Sequence, residues 1–140
     1  MTDQLLDRDS FREGVFKRDR NICVTCGAPA VDAHHIIERK LFDDGGYYLS
    51  NGSSLCARCH LYAEMTVISV EEIRRSIGIE AFILPECLTV GRSYDKWGNE
   101  VLTDGRRVPG PLFDDHGARK ILQRAGVLYD GTFVITVMPD

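Results

Sequence analysis

Cys23, Cys26, Cys56 and Cys59 fall as two C-x-x-C pairs with 29 residues between them. Two residues between ligands let one tight turn present both sulfurs to one ion, and two such turns complete a tetrahedron. Zinc is the expected occupant, in a closed structural site that ties two distant segments together. A redox dithiol needs only one such pair, set beside a βαβ pattern, and that pattern is absent. Four reduced core cysteines would not need the matched spacing. Met1 to Ser10 hold three aspartates and no apolar stretch, so no secretory leader is visible. In such a chain paired C-x-x-C reads as metal before disulfide. The fifth cysteine, Cys87, stands alone as a buried or idle thiol.

Three of the four histidines cluster with the cysteine pairs. His34 and His35 are adjacent, and His60 directly follows Cys59. A four-cysteine zinc site leaves all three imidazoles unused, so they are available for a second centre. Neighbouring residues on a strand point to opposite sides, so His34 and His35 cannot easily do the same job. His116 sits among Asp114, Asp115 and Gly117 at a helix start and reads as surface.

The elements that must hold these groups can be read in outline. Ser10-Phe11-Arg12-Glu13 fits a capping box opening a helix to about Arg18, with Phe11 and Val15 inward. Residues 21–29 read as a turn carrying the first cysteine pair. Residues 30–37 read as a strand, with Val31 and Ile36 available for packing. Asp43-Asp44-Gly45-Gly46 opens a loop that runs through Asn51-Gly52-Ser53-Ser54. Residues 56–66 read as a turn followed by a helix. A second capping box, Ser69 to Glu72, starts a helix through Ile77 that Gly78 can end. Beyond Pro85 come short extended pieces between turns, a helix over 114–126, and an Asp130-Gly131 turn leading into a β-rich run. The expected class is α+β. Residues 1–78 form one domain and residues 79–140 a C-terminal extension packed on it, with a soft boundary in 79–90.

Cys23-x-x-Cys26, Ala33-His34-His35-Ile36-Ile37, Gly45-Gly46, Asn51 and Leu55-Cys56-Ala57-Arg58-Cys59-His60 together resemble the HNH endonuclease family, the ββα-metal nucleases, in its zinc-stabilised four-cysteine branch. The resemblance places the family's H, N and H on His35, Asn51 and His60. It implies a ββα-metal core with a zinc knuckle, and hydrolysis of phosphodiester bonds in nucleic acid. It assigns His35 as general base, Asn51 as the residue that orients it, and His34 and His60 as ligands of a divalent ion (Mg2+, Mn2+, Ni2+ or Zn2+). The family often has Asp where His34 stands, and two imidazole ligands favour a transition metal over Mg2+. Outside that context Asn51, before Gly52, reads as a turn residue. Glu64 is four residues after His60, on the same helical face. It is open as a third ligand, as a proton acceptor, or as a solvated carboxylate.

Seventeen Lys and Arg against 21 Asp and Glu give a net charge of −4. That argues against strong free-standing DNA binding, which needs a basic face. Arg39-Lys40, Arg74-Arg75, Arg106-Arg107 and Arg119-Lys120 are adjacent basic pairs that can form one locally, and a partner protein can deliver the substrate. Tyr94, Lys96, Trp97, Arg106 and Arg107 mix aromatic and basic groups, as either a nucleic-acid surface or a small core with a charged hairpin tip. The composition excludes a disordered tail, a rod and a membrane span. The expectation is a cytoplasmic metal-dependent endonuclease acting on duplex DNA. The alternatives are an RNase with the same site, and a non-catalytic zinc module binding nucleic acid or protein. The second has no need of His34, His35 and Asn51 together.

Overall fold

The computed structural model describes residues 3–129 and 134–136. The first helix, α1, spans Arg8–Arg18. Its cap is Asp7, whose carboxylate accepts from the Ser10 amide at 2.7 Å. The expected box at Ser10 is therefore displaced by three residues: Asp7 caps as well as Ser does, and the Ser10 amide becomes the donor. That bond holds the Asp7 carboxyl below its ordinary value. Phe11 and Val15 are buried on the inner face, as the spacing predicts.

Strand β1, Asp32–His35, pairs antiparallel with β2, Gly52–Leu55, with His35 opposite Gly52 and Asp32 opposite Leu55. Only four residues of the expected strand pair in this way. Ile36 is buried, whereas Val31 is exposed. Val31 shares the parity of His35, while Ile36 shares that of His34 and faces the core. Gly52 is required by packing. A Cβ there would meet Phe11 at 2.8 Å and collide with Val15, so its absence lets α1 lie on the hairpin. Arg18 fixes that seat by donating to the carbonyls of Leu49 and Gly52, each at 2.6 Å. Asp19 accepts from the Ser54 amide at 2.9 Å.

Helix α2, Ala57–Glu64, follows β2 directly and completes a ββα unit. Helix α3, Val70–Ile77, starts at Ser69, whose hydroxyl accepts from the Glu72 amide, and ends at Gly78 in the left-handed region, both as the sequence indicates. The C-terminal portion holds β3 (Glu100–Val101), β4 (Arg107–Val108), α4 (His116–Arg124), β5 (Val127–Tyr129) and β6 (Val134–Thr136). Its strands form an antiparallel sheet in the order β3-β4-β6-β5. The Asp130-Gly131 turn lies outside the described residues.

One apolar cluster gathers Ile36, Ile37, Leu55, Ala63, Ile73 and Tyr94. A second gathers Trp97, Ala118, Leu122 and Val127, and Leu112 packs against both. The fold is thus α+β, with a ββα core and a C-terminal α/β portion seated on it. Among the described residues no helix is long and apolar enough to cross a membrane.

Candidate functional site

The cysteine pairs converge as their spacing requires. The Sγ atoms of Cys23, Cys26, Cys56 and Cys59 all lie within 4.8 Å of one another. The first pair rides a tight turn in which the Cys23 amide donates to Ala28 at 2.7 Å and the Gly27 amide to Cys23 at 2.9 Å, with Gly27 left-handed. The second pair opens α2, where Cys56 is the helix cap and accepts from the Cys59 amide at 3.4 Å. Burial pushes the Cys59 thiol up to about 12. Against burial, hydrogen bonds from Thr25 and backbone amides bring Cys23 down to about 6. Four thiolates in one cage need a compensating cation, and this donor set fits zinc.

A second donor cluster lies in a cleft of about 380 Å³ between β1, α1 and α2. Nitrogens of His34 and His60 and an oxygen of Glu64 lie within 4.8 Å of one another. His60 Nε2 is 3.1 Å from Glu64 Oε1, and His34 Nδ1 is 3.8 Å from the same oxygen. His60 Nδ1 is 2.9 Å from Asp32 Oδ2, which fixes the ring with Nε2 toward the cluster. A carboxylate on the far nitrogen is the usual support of a metal-bound imidazole. Glu64 first and Asp32 further raise the His60 pKa, partly offset by burial. Both ring nitrogens of His34 are buried without a hydrogen-bond partner. Burial, then the charges of Lys96, His60 and His35, hold its pKa well below the ordinary value. A neutral, fully buried imidazole with unused nitrogens beside a second imidazole and a carboxylate fits a divalent transition ion.

His35 points the other way, as strand alternation demands. Its ring stacks on Phe11 at 4.7 Å and meets the edge of Tyr47 at 5.1 Å. Its Nε2 is also buried without a partner, and it lines the same cleft. Burial, then Lys96, lowers its pKa to about 4, so the imidazole is neutral at physiological pH.

Asn51 does not reach the cleft. Its Oδ1 accepts from the Ile37 amide at 2.9 Å, and its Nδ2 donates to the carbonyls of Ile37 at 3.0 Å and Gly46 at 3.2 Å. Its own carbonyl accepts from the Ile36 amide at 2.8 Å. The side chain clamps the backbone at Ile37, two residues after His35, and closes the 37–51 loop.

Lys96 enters the cleft from the C-terminal portion. Its Nζ is 2.8 Å from Glu38 Oε2 and 3.9 Å from Glu64 Oε1. It sits on a braced turn in which Asp95 accepts from the amides of Trp97 and Asn99, and Trp97 Nε1 donates to the Glu64 carbonyl at 2.8 Å. Tyr94, Lys96, Trp97 and Arg107 are buried, so this region is a small core with Arg106 at its tip. Arg8, Arg12 and Arg39 line the outer cleft. Asp32, Glu38 and the placement of Lys96 were not foreseen from the sequence. Asp32 could have been found two residues before His34, on the same face of β1. Nothing local in the sequence joins Lys96 to the histidines.

Residues 23–63 match the family model for HNH endonuclease. The match spans both cysteine pairs, β1, β2 and nearly all of α2, and leaves Glu64 and Lys96 outside. No curated protein and no solved structure matches the chain significantly.

Proposed function

From the HNH endonuclease domain that residues 23–63 constitute, we propose that this protein hydrolyses phosphodiester bonds in duplex DNA, with His35 as general base. One observation carries the reading. A neutral His35, whose buried Nε2 has no hydrogen-bond partner, lines the same cleft as the His34, His60 and Glu64 donors. A base and a metal-ligand cluster on opposite faces of one strand can address opposite sides of a single phosphate.

His34, His60 and Glu64 would hold a divalent ion, which would supply Lewis-acid charge to the phosphate. His35 accepts a proton from the attacking water, and its ring is kept in orientation by Phe11 and Tyr47. Asn51 holds the backbone on which that ring is mounted. Asp32 orients His60. Arg8, Arg12 and Arg39 contact phosphates flanking the cleft, which positions a duplex without reading its sequence. The four cysteines hold a structural zinc that locks the knuckle to the start of α2. With a net charge of −4 the chain binds duplex weakly by itself, and a partner protein assists delivery.

The test is incubation of zinc-loaded protein with plasmid, single-stranded DNA and RNA, each with Mg2+, Mn2+, Ni2+ or Zn2+. Nicking or linearisation of plasmid that stops on mild chelation and returns with added ion supports the reading. Cleavage of RNA alone makes the protein an RNase. No cleavage under any condition leaves a zinc-bearing binding module.

A further inference from the structure

We propose that Lys96 is a further catalytic residue, whose ammonium binds a non-bridging oxygen of the scissile phosphate. The proposal rests on the nuclease reading of the cleft. Lys96 lies outside the segment that matches the family, yet its side chain lines the cleft beside His34, His35, His60 and Glu64.

An ammonium carries three donors. Among the described residues only Glu38 accepts from Lys96 at hydrogen-bonding distance, at 2.8 Å. Glu64 lies further away at 3.9 Å, and the Trp97 ring is 4.7 Å from the ammonium. Donor capacity is therefore left over in a site built for an anion. The side chain is only 4% exposed, and burying such an ion pair contributes little net stability, so stability does not account for it. The mount is stiff. The Lys96 carbonyl accepts from the Glu38 amide at 3.0 Å, and the Asp95 carboxylate accepts from Trp97, Asn99 and Arg107. A cation fixed before substrate arrives stabilises developing negative charge without reorganising. The C-terminal portion thus completes a site that the ββα unit leaves short of one cation.

The test uses the full chain with its zinc. Lys96→Met combined with Glu38→Gln keeps the net charge and leaves no buried unpaired ion. Glu38→Gln alone is the control that retains Lys96. Lys96→Gln with Glu38 intact serves as the second variant if the double one does not fold. Binding of a duplex oligonucleotide is measured by fluorescence anisotropy across a salt series, without added divalent ion. Loss of one phosphate contact should flatten the slope of log K against log salt by about 0.9. Single-turnover cleavage at saturating Mn2+ should fall by about 100-fold, the scale for losing one preorganised donor. The control should keep the slope. An unchanged slope in the variant, or cleavage within about threefold of the parent, overturns the proposal. A parent protein that cleaves nothing defeats the nuclease reading instead, and the slope still decides the Lys96 contact.

Discussion

Asn51→Ala should damage stability more than its distance from the cleft suggests. The side chain is 1% exposed and makes three hydrogen bonds, all to backbone. Truncation leaves the Ile37 amide, the Ile37 carbonyl and the Gly46 carbonyl without their partner at a buried site. At about 1–1.5 kcal/mol for each unsatisfied group, the loss is about 3–4.5 kcal/mol. A chain of this size loses about 3–4 °C of melting temperature per kcal/mol, so the expected fall is about 10–18 °C. That is a large share of the ~5–15 kcal/mol that holds an ordinary domain. The assay is thermal unfolding followed by circular dichroism, with zinc content checked on the same sample. Asn51→Asp should be at least as harmful, because it keeps the acceptor, removes both donors and buries a charge. Cleavage by whatever folded Asn51→Ala protein remains should fall less than in His35→Ala, since the base itself survives. A melting temperature within about 2 °C of the parent would refute the reasoning, because the clamp would then carry no free energy.

Two further outcomes concern the metals. Cys26→Ser should give insoluble or unfolded protein, because four-cysteine zinc contributes on the order of 10 kcal/mol to folding; soluble, folded protein with no zinc by elemental analysis would contradict this. His60→Ala should fold and keep the cysteine-bound zinc, but Mn2+ titration should show at least tenfold weaker binding at the cleft, with part of the cleavage restored by excess ion. Unchanged Mn2+ affinity would remove His60 from the ligand set.

Much of this architecture was written in spacing. The cysteine pairs needed only their two-residue gaps to announce one cage, and the cage forms from those four sulfurs. Adjacent His34 and His35 announced two faces, since a strand must send neighbours to opposite sides. The helix opened by Ser69 and ended by Gly78 was legible from capping chemistry alone. The cap of α1 was not, because Asp7 and Ser10 are both good caps, and the choice between them depends on the segment leading into the helix, which Leu6 ties down by donating its amide to the distant Tyr47 carbonyl at 2.9 Å. Val31 was misplaced because apolar character does not say which parity of a strand meets the core. Glu64 was visible as a neighbour of His60, but only the approach of His34 across the hairpin makes it a third donor. Lys96 could not be placed at all. Its entry into the cleft follows from the Asp95 turn, from Trp97 binding the end of α2, and from contacts more than thirty residues apart in sequence.

The central claim is that the cleft is a hydrolytic site in which His35 moves a proton and the other two histidines do not. Single-turnover cleavage of a plasmid by the parent and by His35→Ala, at saturating Mn2+ and matched zinc content, tests it most directly. The variant should fold, bind Mn2+ and duplex as the parent does, and cleave slower by about two to four orders of magnitude, the scale for losing a general base. A His35→Ala protein that cleaves at the parent rate, with both metal sites intact, would contradict the account.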